Sequence, residues 1–290
     1  MLAARLPSPL RTPARKCLGI LRRTWGPKRP APITSEEAGK DTTPTPFMCN
    51  VCGRPNRLPA WRLTREDGPC VGCQCHGRLR SISYAVTAHF SPEQLVLAWM
   101  RPRKEIRGLG CSDWGYADLL AEKFNYVNTF YDRPPQLDLS QVDWTRWPPA
   151  SFDFITCSDV LEHVVGPIEA TFENMRKLLR PGGVMILTVP TSLEPNSREH
   201  FPALYDWRID EAGGARILIN RRQDGVTEQF EDLCFHGGEG LTLEFRFFSR
   251  QGLIRSLRSA GFQVARIYEQ SLPEFAIPLG CHNFVLVAQA

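Results

Sequence analysis

Apolar positions along this chain recur with two periods, and from about residue 81 onward the two alternate. Short apolar runs typical of buried strands are followed by segments with apolar residues every three or four positions, as in amphipathic helices. The predicted strands are EIRGLG, YVNTFY, FDFITCS, VMILTVP, QVARIYE and NFVLVAQA, and the predicted helices are SISYAVTAHF, SPEQLVLAWM, WGYADLLAEKF, IEATFENMRKLLR and SRQGLIRSLRSAGF. This alternation predicts an α/β fold with a doubly wound, mostly parallel sheet and helices on both faces.

The same patterning divides the chain into three parts. Residues 1–45 are rich in proline, lack periodicity and predict a disordered basic tail. Residues 46–80 form a small Cys-rich module, and residues 81–290 form the α/β domain. Within that domain, residues 191–250 combine polar and aromatic side chains without clear periodicity. We interpret this segment as a substrate lid, with a solvated insertion as the alternative.

Charge is distributed unevenly along the chain. Residues 1–35 contain eight Lys or Arg and no acidic residue, so the remainder is net negative although the whole chain carries +4. A mildly acidic body argues against nucleic acid as the partner, whereas the tail allows a weak contact with an anionic membrane surface or a transit peptide.

Two features bear on the compartment. No apolar run approaches the roughly 20 residues that span a bilayer. The chain has ten cysteines and no apolar secretory leader, so we expect a reducing, cytoplasmic location.

Four of the ten cysteines form two CxxC pairs. Cys49 and Cys52 are separated from Cys70 and Cys73 by 17 residues, a spacing typical of zinc sites. Four thiolates give Zn²⁺ its preferred tetrahedral shell, and so small a module would take much of its folding free energy from the metal. The sequence predicts a structural zinc site; disulfides, free thiols and a redox role are the alternatives.

A glycine-bearing turn follows the first strand of the domain. It reads Gly-Leu-Gly-Cys-Ser-Asp-Trp-Gly over residues 108–115 and leads directly into a helix. Such a turn lets backbone N–H groups approach a ligand closely. Downstream come the strand FDFITCS, the segment VLEHV at 160–164 and the turn LLRPGG at 178–183.

In this order, these motifs resemble those of class I S-adenosylmethionine-dependent methyltransferases (type 11-like), over residues 100–290. The resemblance implies a seven-stranded Rossmann-like sheet and S-adenosylmethionine as the cofactor. The Cys-rich module resembles the zinc-ribbon leader of some bacterial members, some of which modify sugars or glycans.

The resemblance also implies site residues. The glycine turn would hold the amino acid part of the cofactor, an acidic residue after the second strand its ribose, and a third position its adenine. The end of the FDFITCS strand would face the sulfonium. The implied cofactor-binding residues are Gly108, Gly110, Asp113, Gly115, Asp132, Asp138 and Ser158. Gly108 stands where the family commonly has an acidic residue, so Asp113 is expected to supply the missing carboxylate.

Catalysis needs few groups, because a sulfonium methyl is already activated and the protein mainly aligns a nucleophile behind it. An oxygen nucleophile gains from a base with a pKa near neutrality, which favours histidine. We therefore expect His163, just after a strand, and His236, in the lid, to be catalytic. A structural role is the alternative for His163.

The leading hypothesis is O-methylation of a small polar acceptor, such as a sugar or glycan precursor. Residues 157–160, Cys-Ser-Asp-Val, replace the Asn/Asp-Pro-Pro-aromatic loop of amino-directed DNA methyltransferases, which argues against base methylation. Two alternatives stay open. One is methylation of RNA or protein, and the other is a non-catalytic adaptor that retains the fold but has lost the cofactor.

Overall fold

The computed structural model describes residues 39–212, 215–236 and 242–290. The predicted tail therefore lies almost entirely outside the described residues. Residues 41–290 form one compact unit. Its helices are α1 (Gly77–Phe90), α2 (Ala117–Lys123), α3 (Ile168–Leu178) and α4 (Arg250–Ser259), with 3₁₀ turns at Ala60–Arg62, Leu97–Trp99, Leu161–His163 and Pro273–Phe275. In the described ranges, no helix is long and apolar enough to cross a bilayer.

The strands fall into a first hairpin, a central sheet and a group of short strands inserted late in the chain. The hairpin consists of β1 (Pro44–Met48) and β2 (Pro55–Pro59). The strands of the central sheet are β3 (Arg103–Cys111), β4 (Phe124–Thr129), β5 (Phe152–Ser158), β6 (Leu179–Thr188), β15 (Gln263–Tyr268) and β16 (Val285–Gln289). The inserted strands are β7 (Thr191–Ser192), β8 (Arg198–Glu199), β9 (Asp206–Ala212), β10 (Ala215–Arg221), β11 (Thr227–Phe230), β12 (Phe235–His236), β13 (Thr242–Leu243) and β14 (Arg246–Ser249).

The central sheet has the order β15-β16-β6-β5-β3-β4. Strands β4, β3, β5 and β6 are parallel to their neighbours, and β16 and β15 are antiparallel additions at one edge. The mostly parallel, doubly wound sheet predicted from the alternation is confirmed. The expected count of seven strands is wrong for the described residues, where this sheet has six.

The absent strand has a physical cause in the segment between β4 and β5. An extra parallel strand here would need one crossover to reach it and a second to leave it, each of about a dozen or more residues, and only residues 130–151 are available for both. Pro134, Pro135, Pro148 and Pro149 also remove backbone donors there. The segment instead folds back on β4 through Leu137 N–H, which donates to the Phe130 carbonyl at 2.9 Å.

Both faces of the sheet are covered. One apolar core joins α3 and α4 to side chains such as Ile155 and Cys157 of β5. The other joins α1 and α2 to Phe154 of the same strand and to Val184 and Ile186 of β6. Alternate residues of β5 therefore enter opposite cores, which explains its continuous apolar run.

Residues 91–100 differ from the prediction. The segment SPEQLVLAWM was expected to be helical, but only Leu97–Trp99 makes a single 3₁₀ turn. The backbone N–H groups of Leu97 and Ala98 donate to the carbonyls of Asn50 and Val51 at 2.8 and 2.9 Å. Pairing with the Cys-rich module has replaced helical hydrogen bonds, a tertiary contact that local periodicity cannot reveal.

The predicted lid, residues 191–250, contains a three-stranded antiparallel sheet of order β11-β10-β9. A small core of its own includes Phe201, Leu218, Leu243 and Phe245. Strands β9, β10 and β11 are only partly buried, so the alternation of apolar and polar residues along them is weak. Gly237 and Gly238, which follow His236 in the sequence, lie outside the described residues.

Candidate active site

The four cysteines of the CxxC pairs converge at one point. Cys49 and Cys52 lie in the turn between β1 and β2, and their Sγ atoms are 3.6 Å from Cys73 and 3.5 Å from Cys70 respectively. All four Sγ atoms lie within 4.8 Å of one another. A tetrahedral zinc with bonds of about 2.3 Å would place sulfurs about 3.8 Å apart. The donor set and its spacing fit that ion.

The carboxyl ends of β3 and β4 form an open edge of the sheet. Trp114 follows β3 and is 47% exposed, and Tyr131 follows β4 and is 69% exposed. The Asp132 side chain is 73% exposed and lies 3.9 Å from Arg133. An exposed carboxylate and two exposed rings follow these two neighbouring strand ends, and such groups suit a ligand that carries hydroxyl groups and an aromatic base.

Two glycines of the predicted cofactor turn lie within β3. A Cβ at Gly108 would overlap the Phe154 ring, and a Cβ at Gly110 would overlap the Tyr126 hydroxyl. Both conflicts involve side chains of the neighbouring strands. The structure thus gives these glycines a packing role inside the sheet.

Gly115 differs from these two, because it has a φ of +71° and ends the turn beside the Cys75 sulfur of the Cys-rich module. The left-handed conformation favours glycine at this position.

Asp113, expected to supply a carboxylate to the cofactor, points into the protein. It is 6% exposed and accepts hydrogen bonds from the hydroxyls of Tyr116, Tyr126 and Thr156 at 2.5 to 2.7 Å. Burial raises the pKa of Asp113 to about 6 although the three donors favour ionisation. Here the carboxylate ties the turn to β4 and β5.

At the end of β5, Ser158 and Asp159 meet two arginines from the Cys-rich module and the start of α1. Arg78 donates to Ser158 Oγ at 2.7 Å, and Arg65 makes two hydrogen bonds of 2.6 Å to Asp159. Burial opposes ionisation of Asp159, but the adjacent Arg65 holds its pKa below the usual value. The sequence offered no signal for Arg65.

Asp138 lies in the segment that replaces the absent strand. Its Oδ1 accepts hydrogen bonds from Ser140 N–H and Ser140 Oγ at 2.8 and 2.6 Å. Leu137 and Leu139, on either side, are buried in the core that also holds Leu109 of β3. The Asp138 carboxylate therefore stabilises its own loop.

The two predicted catalytic histidines come together. His163 ends the 3₁₀ turn after β5, and its ring centroid lies 5.4 Å from that of His236 on β12. His163 Nδ1 lies 2.9 Å from the Leu243 carbonyl. Burial lowers the pKa of His163, which favours the neutral ring at pH 7.

Three further titratable residues, Glu162, His200 and Glu244, surround the histidine pair, and of these sequence reasoning assigned no role at the site to Glu244. Glu244 is 4% exposed, and its carboxylate lies 2.7 Å from His200 Nε2 and 3.3 Å from His236 Nε2. Glu162 is 1% exposed, and burial, reinforced by Asp159, raises its pKa to about 8.

Arg246, a candidate for binding an anionic substrate group from its sequence position, is 1% exposed. It donates to the carbonyls of Leu161, Val164 and Gly166 and to the Glu199 carboxylate. Its guanidinium fixes the loop that carries Glu162 and His163. Arg246 also lines a cavity of about 430 Å³, together with residues in the ranges 165–169, 197–204 and 245–248; none of the predicted catalytic or cofactor-binding residues lines it.

A family described as a methyltransferase domain matches residues 93–267, more than half of the chain. The chain is 36% identical over 77 residues to the highly reducing polyketide synthase PKS6 of Gibberella zeae. It is 30% identical over 144 residues to the hybrid PKS-NRPS synthetase buaA of Petromyces alliaceus. These segments cover 26% and 46% of this chain but only 3% and 4% of the two synthases.

Solved structures were compared as well. The Burkholderia thailandensis 1,6-didemethyltoxoflavin-N1-methyltransferase, crystallised with its substrate and S-adenosylhomocysteine, is 18% identical, with a TM-score of 0.39. The alignment covers 73% of this chain and 77% of that one. The family match spans the sheet from before β3 to β15 and includes the open edge and the histidine pair. The chain belongs to the methyltransferase domain family.

Proposed function

We propose that this chain transfers a methyl group from S-adenosylmethionine to a hydroxyl of a small polar acceptor, such as a sugar or glycan precursor. The cofactor supplies a methyl group on a sulfonium, whose sulfur–methyl bond breaks as the oxygen–methyl bond forms, leaving a neutral thioether. The hydroxyl proton passes to a protein base. The protein's task is alignment of the acceptor and removal of that proton.

The observation that carries this proposal is the open carboxyl edge of β3 and β4 in a chain of the methyltransferase family. Asp132 is suited to accept hydrogen bonds from ribose hydroxyls, because its carboxylate is exposed. The exposed rings of Trp114 and Tyr131 offer flat apolar surfaces to the adenine. Gly115 and Ser158 border the same edge and are proposed contacts for the rest of the cofactor.

The histidine pair supports the acceptor side of the proposal. If His163 Nδ1–H donates to the Leu243 carbonyl, Nε2 keeps its lone pair for a proton. Its lowered pKa keeps the ring neutral near pH 7. His236, 39% exposed in its side chain, is the second proposed base and lies nearer to solvent, where an acceptor would enter.

Cofactor binding is tested by titration calorimetry with S-adenosylmethionine and S-adenosylhomocysteine. Asp132→Asn removes one charged acceptor for the ribose hydroxyls and should weaken binding about tenfold, or about 1.4 kcal/mol. Asp210→Asn is the matched control, because Asp210 is also an exposed carboxylate beside an arginine. Absence of binding heat and of a thermal shift at saturating cofactor would contradict the proposal.

We also propose that the four cysteines bind a structural Zn²⁺. The convergence of four thiols at distances of 3.5 and 3.6 Å between paired sulfurs supports it. Asn56 Nδ2 and the Gly72 N–H lie 3.4 and 3.3 Å from Cys70 Sγ. Such donors stabilise a thiolate ligand. No position in the shell is left for a substrate, so the site is structural.

A further inference from the structure

A buried acid without a hydrogen bond lies beside the histidine pair. Glu162 is 1% exposed, and among the described residues neither of its carboxylate oxygens has a hydrogen-bond partner. His163 Nε2 lies 3.8 Å from Glu162 Oε1, too far for a hydrogen bond. A buried carboxylate with both oxygens unsatisfied is costly in free energy, which a bound cation would relieve.

The surroundings of Glu162 supply two further metal ligands. One ligand atom from each of Glu162, His163 and His236 lies within 4.8 Å of the other two. His163 Nδ1 is bonded to the Leu243 carbonyl at 2.9 Å, which directs Nε2 toward Glu162. A histidine ligand held through its other nitrogen is the usual arrangement around a metal.

We propose that Glu162, His163 and His236 hold a divalent transition-metal cation of the zinc type, separate from the ion at the four cysteines. Two imidazoles and one carboxylate suit zinc rather than magnesium or calcium, which prefer oxygen ligands. Ligand atoms of a filled tetrahedral site lie about 3.4 Å apart. The half-exposed His236 ring can close the remaining gap by rotation.

Neighbouring side chains orient His236, the most exposed of the three proposed ligands. Cys234 Sγ and Glu244 Oε2 each lie 3.3 Å from His236 Nε2. Glu244 is itself held by His200 Nε2 at 2.7 Å, so its place is fixed before the metal binds. Cys234 and Glu244 also form a second group of possible ligands with His236.

The role of this cation in catalysis rests on the proposed function, whereas the binding of the cation does not. Three protein ligands leave a fourth position open, as in catalytic zinc sites. An acceptor hydroxyl in that position would ionise more readily, because a bound cation stabilises the oxyanion. The two histidines would then act as metal ligands, and the hydroxyl proton would leave to solvent.

Metal stoichiometry tests the proposal without any assay of activity. The full chain is loaded with Zn²⁺ alone, desalted, and analysed for metal per chain by mass spectrometry. We expect Glu162→Gln and His236→Gln each to hold one zinc fewer than the wild type. His282→Gln, which removes an exposed histidine elsewhere, should hold the wild-type amount. The difference is independent of whether the four cysteines are filled.

Reloading with Co²⁺ separates the two sites spectroscopically. A thiolate-to-cobalt absorption from the four cysteines should persist in both variants, while the weaker bands of a nitrogen- and oxygen-ligated cobalt disappear. Because Glu162 is buried, His236→Gln serves where Glu162→Gln fails to fold. Equal metal content in the wild type and His236→Gln overturns the proposal. Calorimetry with S-adenosylmethionine is run separately, so failure of cofactor binding is distinguished from failure of metal binding.

Discussion

Asp113 shows burial and hydrogen bonding acting in opposite directions on one carboxyl. Three hydroxyls donate to it, yet burial dominates and raises its pKa from 3.8 to about 6. The folded state therefore holds the proton more tightly than the unfolded state. The resulting stability is fully present below about pH 4 and is lost as the pH rises through about 6.

Asp113→Asn should remove that dependence, because an amide does not ionise. Between pH 4 and pH 7 the wild type should lose up to about 3 kcal/mol more unfolding free energy than the variant. Thermal or urea unfolding at pH 4, 5, 6 and 7 measures the difference. Asp210→Asn, at an exposed position, should follow the wild type. If the unfolding free energy of the wild type and of Asp113→Asn changed equally with pH, burial would not raise the pKa of Asp113.

Gly110 has a packing role in the structure besides the ligand role that the sequence predicts. The sequence places it in a ligand turn because glycines after strands are typical of nucleotide sites. In the fold, the Tyr126 hydroxyl on the adjacent strand occupies the space where its Cβ would be. Cross-strand contacts of this kind depend on strand order, which the sequence leaves open.

Gly110→Ala should therefore destabilise the protein itself, by about 1–3 kcal/mol from overpacking. Urea unfolding measures the loss. The control is Gly280→Ala, where a Cβ meets nothing within 4 Å, and little change is expected there. If Gly110→Ala unfolds like the wild type and only cofactor affinity falls, the glycine has the ligand role and the packing argument fails.

At the scale of elements, the Cys-rich module is tied to the active-site edge through Arg65. Its two hydrogen bonds of 2.6 Å reach Asp159 after β5, and Thr188 of β6 also donates to Asp159 at 2.9 Å. Side-chain exposures are 22% for Arg65 and 16% for Asp159. The exposure of the Arg65–Asp159 salt bridge is therefore intermediate between that of a surface salt bridge and that of a fully buried one.

Arg65→Gln leaves a largely buried carboxylate with weaker compensation. We expect a loss of about 2 kcal/mol in unfolding free energy, below the 3–5 kcal/mol of a fully buried pair because of partial exposure. Arg208→Gln breaks a comparable Arg–Asp pair whose side chains are 66% and 42% exposed, and should change stability by less than about 0.5 kcal/mol. Equal effects of the two substitutions would contradict the structural role of Arg65.

The elements were predicted unevenly, for reasons that individual residues make clear. Strand β5 and helices α3 and α4 have strong local patterns and were found at nearly their observed positions. Residues 91–100 were assigned to a helix, although Leu97 and Ala98 bond to the Cys-rich module. His163 and the Leu243 carbonyl that it contacts are 80 residues apart, so no local pattern could group the neighbouring Glu244 with His163.

On the scale of the whole molecule, the Cys-rich module and the sheet share one core. Cys49, Cys70 and Cys75 belong to the same apolar cluster as Phe154 of β5 and Val285 of β16. Loss of the proposed zinc should therefore weaken the whole unit instead of releasing a separate domain.

Removal of metal by a chelator should lower the unfolding temperature by several degrees or more and preserve a single transition. Differential scanning calorimetry measures this. Cys52→Ser should reproduce the effect without chelator, whereas Cys281→Ser, at an exposed free cysteine, should leave the transition unchanged. Two separate transitions after metal removal would indicate independent folding of the two parts.

Arg80 shows what joins those parts. Its fully buried guanidinium donates to the carbonyls of Gly68, Cys75 and Ala276 and lies 4.7 Å from the Phe47 ring centroid. A single cation thus fastens segments from both ends of the described chain to the first turn of α1. If relatives exchanged the Cys-rich module, helix α1 and the segment around Ala276 would have to move with it, because Arg80 of α1 joins all three. We therefore expect the module, α1 and that segment to be inherited together.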